Sequence, residues 1–440
     1  MNNDKKLALV KKLFLFIVLL SALGSLAYIP TQSDFLFIIS AYSAAFVAYY
    51  FLIKFDWSII ELLLFGVIVR MILLPAFPNL SDDIYRFIWD GNLILEGENP
   101  YIHLPTDITT RYEWASISGE LLSQMNSPEY YTIYPPINQL IFAFSSYLGN
   151  GELHASMLVI KVLLLLSELA TMSVIINILK DNKLNISRAS IYAFNPLVIN
   201  EIMTNMHFEG MMLLFMLLGL MMLQRKRWLP SVLAMSISIG VKLIPLMFMP
   251  LLIAYLGIKK SCQYFVVLAI ALLVMFLPIL VNIPFFIQSL DLYFKKFEFN
   301  ASIYYIGRWL GFQFYGYNQI AKLGPLLAIV TIGIILWLTK KLYADKSKSL
   351  PTYFLYAISA YLFFATTVHP WYTIPLVGLC ILSRFRYPLF WSFLITFTYI
   401  NYSYSPYQEN LWFVAFEYLT IIAIIFVDIV RPERRKMVEI

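Results

Sequence analysis

Residues 77–101 read FPNLSDDIYRFIWDGNLILEGENPY. An apolar run, Ile59 to Ala76, leads into them, and Asp82, Asp83, Arg86, Asp90, Glu96 and Glu98 then crowd into one short stretch. Charge is costly in a bilayer, so a dense polar island at the end of an apolar run marks a chain leaving the membrane. If residues 77–101 are an exit loop, the apolar runs around them are spans, and the fold is a helical membrane bundle.

The composition agrees. Of 440 residues, 60% are hydrophobic and 13% charged, where a soluble domain carries about 25% charged residues. Apolar runs recur at about 13–29, 34–53, 57–77, 156–179, 188–203, 208–224, 229–241, 244–258, 262–281, 319–339, 351–368, 371–383, 387–402 and 411–430. Runs of about 20 residues suit bilayer-crossing helices. The expected fold class is therefore all-α and polytopic, with about 12–14 transmembrane helices in one integral domain over residues 1–440. Lys5, Lys6, Lys11 and Lys12 precede the first run, which is read as a retained helix rather than a cleaved signal. The two cysteines, Cys262 and Cys380, sit in apolar segments. They form no metal framework and are not expected to pair.

Charge orients the spans. With the N-terminus inside, one set of connections holds the leading lysines, Lys54, Lys180, Lys183, Arg188, Arg225–Arg227, Lys259, Lys260, Lys340, Lys341, Lys346, Lys348, Arg384, Arg386, Arg431, Arg434, Arg435 and Lys436. These are most of the 32 Lys and Arg residues, as the positive-inside rule requires. The net charge of +6 is thus a topology signal, and no nucleic-acid partner is expected. Both termini are placed in the cytoplasm. Residues 134–149 must then not cross, because a crossing there inverts every later loop. They are read as a juxtamembrane or re-entrant helix begun by Pro135 and Pro136.

Two long loops fall outside, 78–155 and 282–318, with shorter outer turns at Asn205–Glu209 and His369–Tyr372. The inner loops are short and basic, and hold no glycine-rich phosphate cradle and no room for a nucleotide-binding domain. A group-transfer reaction here needs a donor available outside, and a lipid-linked donor is the natural kind.

Within 77–101, Ser81 reads as a helix N-cap with Asp82 and Asp83 in the first turn. Arg86 lies four residues from both Asp82 and Asp90, so ion pairs on one helix face are expected. A carboxylate at this exit is also a candidate general base.

The segments DDIYRFIWDG, GENPY, YPPINQL, NMHFEGMM, VKLIP and VHPWY together resemble the multi-spanning GT-C glycosyltransferases, and especially the bacterial polyprenol-phosphate-mannose-dependent mannosyltransferases. The resemblance implies a GT-C-like bundle with juxtamembrane helices in the first outer loop. It also implies inverting transfer of a hexose, mannose by likeness, from a polyprenyl-phosphate donor to a hydroxyl of a glycan or lipid acceptor. The enzyme is expected in the bacterial cytoplasmic membrane with its site on the extracytoplasmic face. The general base falls on Asp83, with Asp82 the alternative. Relatives often read His-Asn-Asp where this chain has His207-Phe208-Glu209, so Glu209 stands for the acid and the amide is lost.

Further residues complete the expected site. Lys242 lies deep in an apolar hairpin and calls for an anionic partner, a phosphate or a carboxylate. His369 and His207, at outer helix ends, are candidates for contact with the donor phosphate, as is Arg308 in the second outer loop. Arg86 is an electrostatic neighbour of the base. Tyr85, Trp89 and Tyr134 shape the sugar pocket or anchor in the membrane belt. Arg70 and Lys161 are read as snorkelling. Four histidines without ligand spacing argue against zinc, and neither a metal nor a cofactor is expected. The competing reading is a lipid or glycolipid transporter or flippase, which would show matching broken helices in two halves; no second copy of DDIYR or VKLIP exists.

Overall fold

The computed structural model describes residues 3–108, 119–345 and 349–430. Lys346, Lys348, Arg431, Arg434, Arg435 and Lys436 of the charge pattern, and residues 109–118 of the first long loop, lie outside the described residues. Among the described residues there is no strand, only an isolated bridge between Phe299 and Thr367. The longer helices are α1 (Asn3–Tyr28), α2 (Phe35–Leu52), α3 (Ile59–Met71), α4 (Asp83–Leu95), α5 (Pro136–Leu148), α6 (Leu153–Asp181), α7 (Glu209–Gln224), α8 (Trp228–Val241), α9 (Ile258–Met275), α10 (Ile283–Lys296), α11 (Ile303–Tyr315), α12 (Ile320–Ala344), α13 (Leu350–Phe364) and α14 (Leu411–Val430).

The polytopic helical class is borne out, but fewer helices are full spans than the apolar runs suggest. Six of the described helices are long and apolar enough to cross a membrane: Lys6–Tyr28 within α1, and α2, α6, α9, α12 and α14. A seventh arises if Pro196–Thr204 and α7, bent by 115°, form one broken span. The shortfall has a local cause. The run 188–203 divides because Asn195 accepts a hydrogen bond from the Val198 N–H at 3.1 Å and Pro196 opens a new turn. It then ends in a π-helical turn, Asn200–Thr204. The runs 371–383 and 387–402 are likewise divided into 3₁₀ and short α segments. These broken pieces carry much of the core, including Tyr192, Leu197, Leu376 and Trp391, all fully buried.

Two cations expected to snorkel do not. Arg70 and Glu168 pair at 2.8 Å with neither side chain exposed, and the Tyr192 hydroxyl donates to Glu168 at 2.7 Å. Lys161, also fully buried, donates to the carbonyls of Leu73 and Ala76. It thereby ties the end of α3 to α6, just ahead of the polar island. Burial this deep is tolerated because each charge meets a partner or several carbonyl oxygens.

Helix α5 begins at Pro136, as expected from the paired prolines. At 13 residues it is about 20 Å long, short of the roughly 30 Å hydrocarbon core. Its polarity is inverted: Asn138, Gln139, Ser145 and Ser146 are buried, while Leu140, Phe144, Tyr147 and Leu148 are exposed. Such a helix turns apolar side chains toward lipid and polar ones toward protein, which fits a juxtamembrane position.

Against this helix lies α4. The approach is close enough that a Cβ on Gly91 would meet the Phe142 carbonyl oxygen and the Ser146 hydroxyl at 2.4 Å. Stacked rings of Phe87 and Phe142, 4.4 Å apart, and a hydrogen bond from Gln139 to Asp90 at 2.8 Å complete the contact. The position of Asp83, at the first turn of α4, is set by this packing.

Candidate active site

The start of α4 differs from the expected cap. Asp82, not Ser81, occupies the N-cap position, and no side chain caps the helix. The Ser81 hydroxyl only approaches the Asp83 N–H at 3.4 Å. Both carboxylates are therefore free of capping duty. Arg86 pairs with Asp90 at 2.8 Å and donates to the Tyr130 carbonyl at 2.9 Å. Its guanidinium is buried and anchors the 127–130 segment to α4, rather than pairing with Asp82.

Asp83 stands at the meeting of three segments. Asn126 donates to it at 3.4 Å, the Tyr134 hydroxyl lies near enough to act on its ionisation, and His207 Nδ1 lies 3.8 Å from Oδ2. Its side chain is 21% exposed, so a hydroxyl can still reach it. Burial raises its carboxyl above the usual aspartate range, against the opposing pull of Lys242 and of the neighbouring Tyr134 and Asn126 side chains. The more open Asp82 is raised as well, by partial desolvation and then by the adjacent Asp83. Tyr134 keeps its proton, because burial and the neighbouring carboxylate push its ionisation far upward. Tyr101, the last residue of GENPY, holds the Tyr134 carbonyl with its own hydroxyl at 2.7 Å. That motif thus positions the base's partner.

Behind Asp83, His207 forms a bridge inward. Its Nε2 lies 3.4 Å from Glu201 Oε2, within ion-pair range though not aligned for a hydrogen bond. Glu201, fully buried on the π-helical turn, also accepts from Tyr399 at 3.0 Å and from Asn205 at 3.0 Å. Neither Glu201 nor Tyr399 stood out in the sequence. The signal was present, since a carboxylate within an apolar run is expensive and asks for a purpose.

The two outer histidines share one ring stack. His207 lies on Trp371 with centroids 3.6 Å apart, Trp371 on His369 at 4.4 Å, and His369 on Phe299 at 4.7 Å. Burial and the charge of Lys242 push His369 down to about 3, so it is neutral at ordinary pH. Its Nδ1 is buried without a hydrogen-bond partner. Phe208, the departure from His-Asn-Asp, packs edge-on against Phe87 and Phe142 at 5.6 and 5.7 Å. The lost amide is replaced by a core contact that binds this turn to α4 and α5.

Lys242 finds the carboxylate expected for it: its Nζ is 2.7 Å from Glu209 Oε1, and Glu209 is fully buried. Lys242 also borders a cavity of about 320 Å³, lined by Tyr134, Pro135, Leu243, Ile244, Met247, Leu290, Tyr361 and Tyr372. Tyr85 is half-buried against Phe77, whereas Trp89 is fully buried and shapes neither a pocket nor a belt. Arg308 stands apart from this group, paired with Glu298 at 2.6 Å and stacked over Tyr305. Glu298 adjoins Phe299, so the pair borders the far end of the ring stack. Among the described residues no three His, Cys, Asp or Glu side chains group as a metal site, and both cysteines are free.

Residues 49–257 match the family model described as Alpha-(1->6)-mannopyranosyltransferase, N-terminal domain. The match takes in Asp82, Asp83, Tyr134, Glu201, His207, Glu209 and Lys242, and ends before Arg308 and His369. No curated protein matches the chain. The family match and the set of apolar helices make this protein a membrane glycosyltransferase, similar over residues 49–257 to the alpha-(1->6)-mannopyranosyltransferases.

Proposed function

We propose that the enzyme moves a mannosyl group from a polyprenyl-phosphate donor to an acceptor hydroxyl, with inversion, on the extracytoplasmic face of the membrane. One observation carries this reading. Tyr134 links the candidate base and the cavity: its hydroxyl lies near enough to Asp83 to act on the ionisation of that carboxyl, and it lines the same space as Lys242. The cavity that Lys242 lines has an otherwise largely apolar wall, and Tyr134 connects that wall to the candidate base.

In this reading Lys242 receives the donor phosphate, exchanging its contact with Glu209 for one with the ligand, and the apolar wall of Leu243, Ile244, Met247 and Leu290 receives the start of the lipid. Neutral His369 donates a hydrogen bond rather than supplying charge. The acceptor hydroxyl approaches Asp83 from the open side. Asp83 takes the hydroxyl proton as the oxygen bonds to the anomeric carbon, and the C–O bond to phosphate breaks on the opposite face. The bonding pair leaves with the phosphate, so no general acid is required. Asp83 is favoured over Asp82 because Asn126, Tyr134 and His207 surround it, while Asp82 lies open.

Transfer of radiolabelled mannose from a polyprenyl-phosphate donor by purified protein tests the reading. Asp83→Asn should lower the rate by about 10²–10⁴-fold, the usual worth of a positioned base, and leave folding intact. Wild-type transfer by that variant removes Asp83 from the mechanism. Lipid scrambling without any transfer would instead favour the transporter.

A further inference from the structure

At the other end of the α12–α13 hairpin from His369 lies a second cavity, of about 610 Å³. Helix α12 runs 25 residues from Ile320, about 37 Å, and this cavity borders its last turns. Ile334, Trp337, Leu338 and Lys341 of α12 form one wall, Ser349, Thr352, Tyr353 and Tyr356 at the start of α13 another, and Arg384 closes it. It shares no lining residue with the cavity beside Lys242.

Three features favour an anion here. Lys341 and Arg384 place two cations on one cavity, and among the described residues neither is in an ion pair with a carboxylate. Ser349, at the N-cap of α13, is 3% exposed, yet among the described residues its hydroxyl neither caps the helix nor meets any other partner. A buried hydroxyl without a partner is expensive, and this one borders the cavity. The N-terminal end of α13 adds its positive dipole.

The rest of the wall says what kind of anion. Trp337 is 54% exposed on the outward side of α12, below the stacked Lys341, whose ammonium lies 4.4 Å from the indole centroid. Ile334 and Leu338 continue the apolar surface toward the middle of the helix. A free inorganic anion has no use for that surface, whereas a lipid has both a head and a chain.

We propose that this cavity binds the phosphate of an anionic phospholipid. The headgroup lies between Lys341, Arg384 and the Ser349 hydroxyl, with an acyl chain along Trp337 and Ile334. This is the end of the bundle that the charge pattern assigns to the cytoplasm, so the lipid belongs to the leaflet opposite the one that supplies the sugar donor. Basic pockets between membrane helices on that side suit such headgroups. The site rests on its own residues and is independent of the reading of Asp83.

The test uses the full chain, purified in detergent and stripped of lipid, with the unfolding midpoint followed against phosphatidylglycerol, phosphatidylcholine and inorganic phosphate. Phosphatidylglycerol should raise the midpoint, while phosphatidylcholine and inorganic phosphate should not. Removing both cations in Lys341→Gln/Arg384→Gln should raise the phosphatidylglycerol concentration needed by about 25-fold, at about fivefold per cation. Ser349→Ala, which keeps both charges and tests the site even if the double variant folds poorly, should weaken the response about 10–100-fold, the worth of one hydrogen bond to a charged group. An equal response to phosphatidylcholine would overturn the proposal, as would an unchanged response in either variant. A response to inorganic phosphate as large as that to phosphatidylglycerol would overturn the lipid as occupant.

Discussion

Replacing Gly91 by alanine adds one methyl group on the far side of α4 from the chemistry, yet should be among the most damaging small changes in the chain. The new Cβ would lie 2.4 Å from the Phe142 carbonyl oxygen and 2.4 Å from the Ser146 hydroxyl, where ordinary contact begins near 3.4 Å. A serine can rotate away, but a backbone oxygen inside α5 cannot, so the two helices must part by about 1 Å. Overpacking of this kind costs about 1–3 kcal/mol. The separation also moves Asp83, at the other end of the same helix, relative to Tyr134 on the segment leading into α5. A displacement of about 1 Å in a reacting group costs on the order of 100-fold in rate. Gly24→Ala is the matched control, because its Cβ would meet nothing within 4 Å; in that helix interior the change should stabilise by about 0.5–1 kcal/mol. Both variants can be compared by unfolding midpoint and by the transfer assay. If Gly91→Ala unfolds and transfers like wild type, the account of how α4 is held is wrong.

Other expectations concern charge. Because burial raises the Asp83 carboxyl, the acid limb of the transfer rate against pH should lie above the usual aspartate range and vanish in Asp83→Asn; a limb near 3.8, the ordinary aspartate value, would contradict this. Glu201→Gln removes the negative partner of His207 without touching substrate. It also makes neutral the acceptor of the Tyr399 and Asn205 hydrogen bonds, and should slow transfer by about 10-fold, the difference between a hydrogen bond to a charged and to a neutral group, with the KM for donor unchanged; a change in KM alone would place Glu201 elsewhere in the cycle. Glu409 accepts from the Asn300 N–H at 3.0 Å while its other oxygen is buried without a partner. Burial raises it from 4.5 to about 7. Its folded pKa exceeds its unfolded one, so the protonated acid favours the fold, and that contribution is complete below about pH 4.5 and lost as pH rises through 7. Glu409→Gln should flatten the fall in unfolding midpoint across that window, and an unchanged slope would refute the assignment.

Much of the site was legible because charge in an apolar chain is conspicuous. Lys242, Glu209, His207, His369 and Asp83 were each visible as polar groups where none comes cheaply, and the structure brings them into one neighbourhood. Tyr101 shows the limit of that signal: its motif was recognisable, but its task of holding the Tyr134 carbonyl is a contact across 33 residues that no local pattern encodes. Glu201 was hidden for a different reason. Hydropathy averages over a window, and residues 188–203 read as one apolar run although Asn195 and Pro196 restart the helix within it. The same averaging turned broken helices into expected spans, since it measures polarity and not continuity. Arg86 was visible but its role was not, because spacing allowed Asp82 and Asp90 equally and the fold chose Asp90.

The ring stack from Phe299 through His369 and Trp371 to His207 bears on how this enzyme can be divided. Residue 257, where the family likeness ends, looks like a natural place to cut. Yet His207, inside that boundary, rests face to face on Trp371, which lies more than a hundred residues beyond it. A fragment ending at 257 would retain the carboxylates and the lysine but would leave one face of His207 bare. The ring contact thus crosses the end of the mannosyltransferase-like segment, and the later half of the chain supplies the face on which His207 rests.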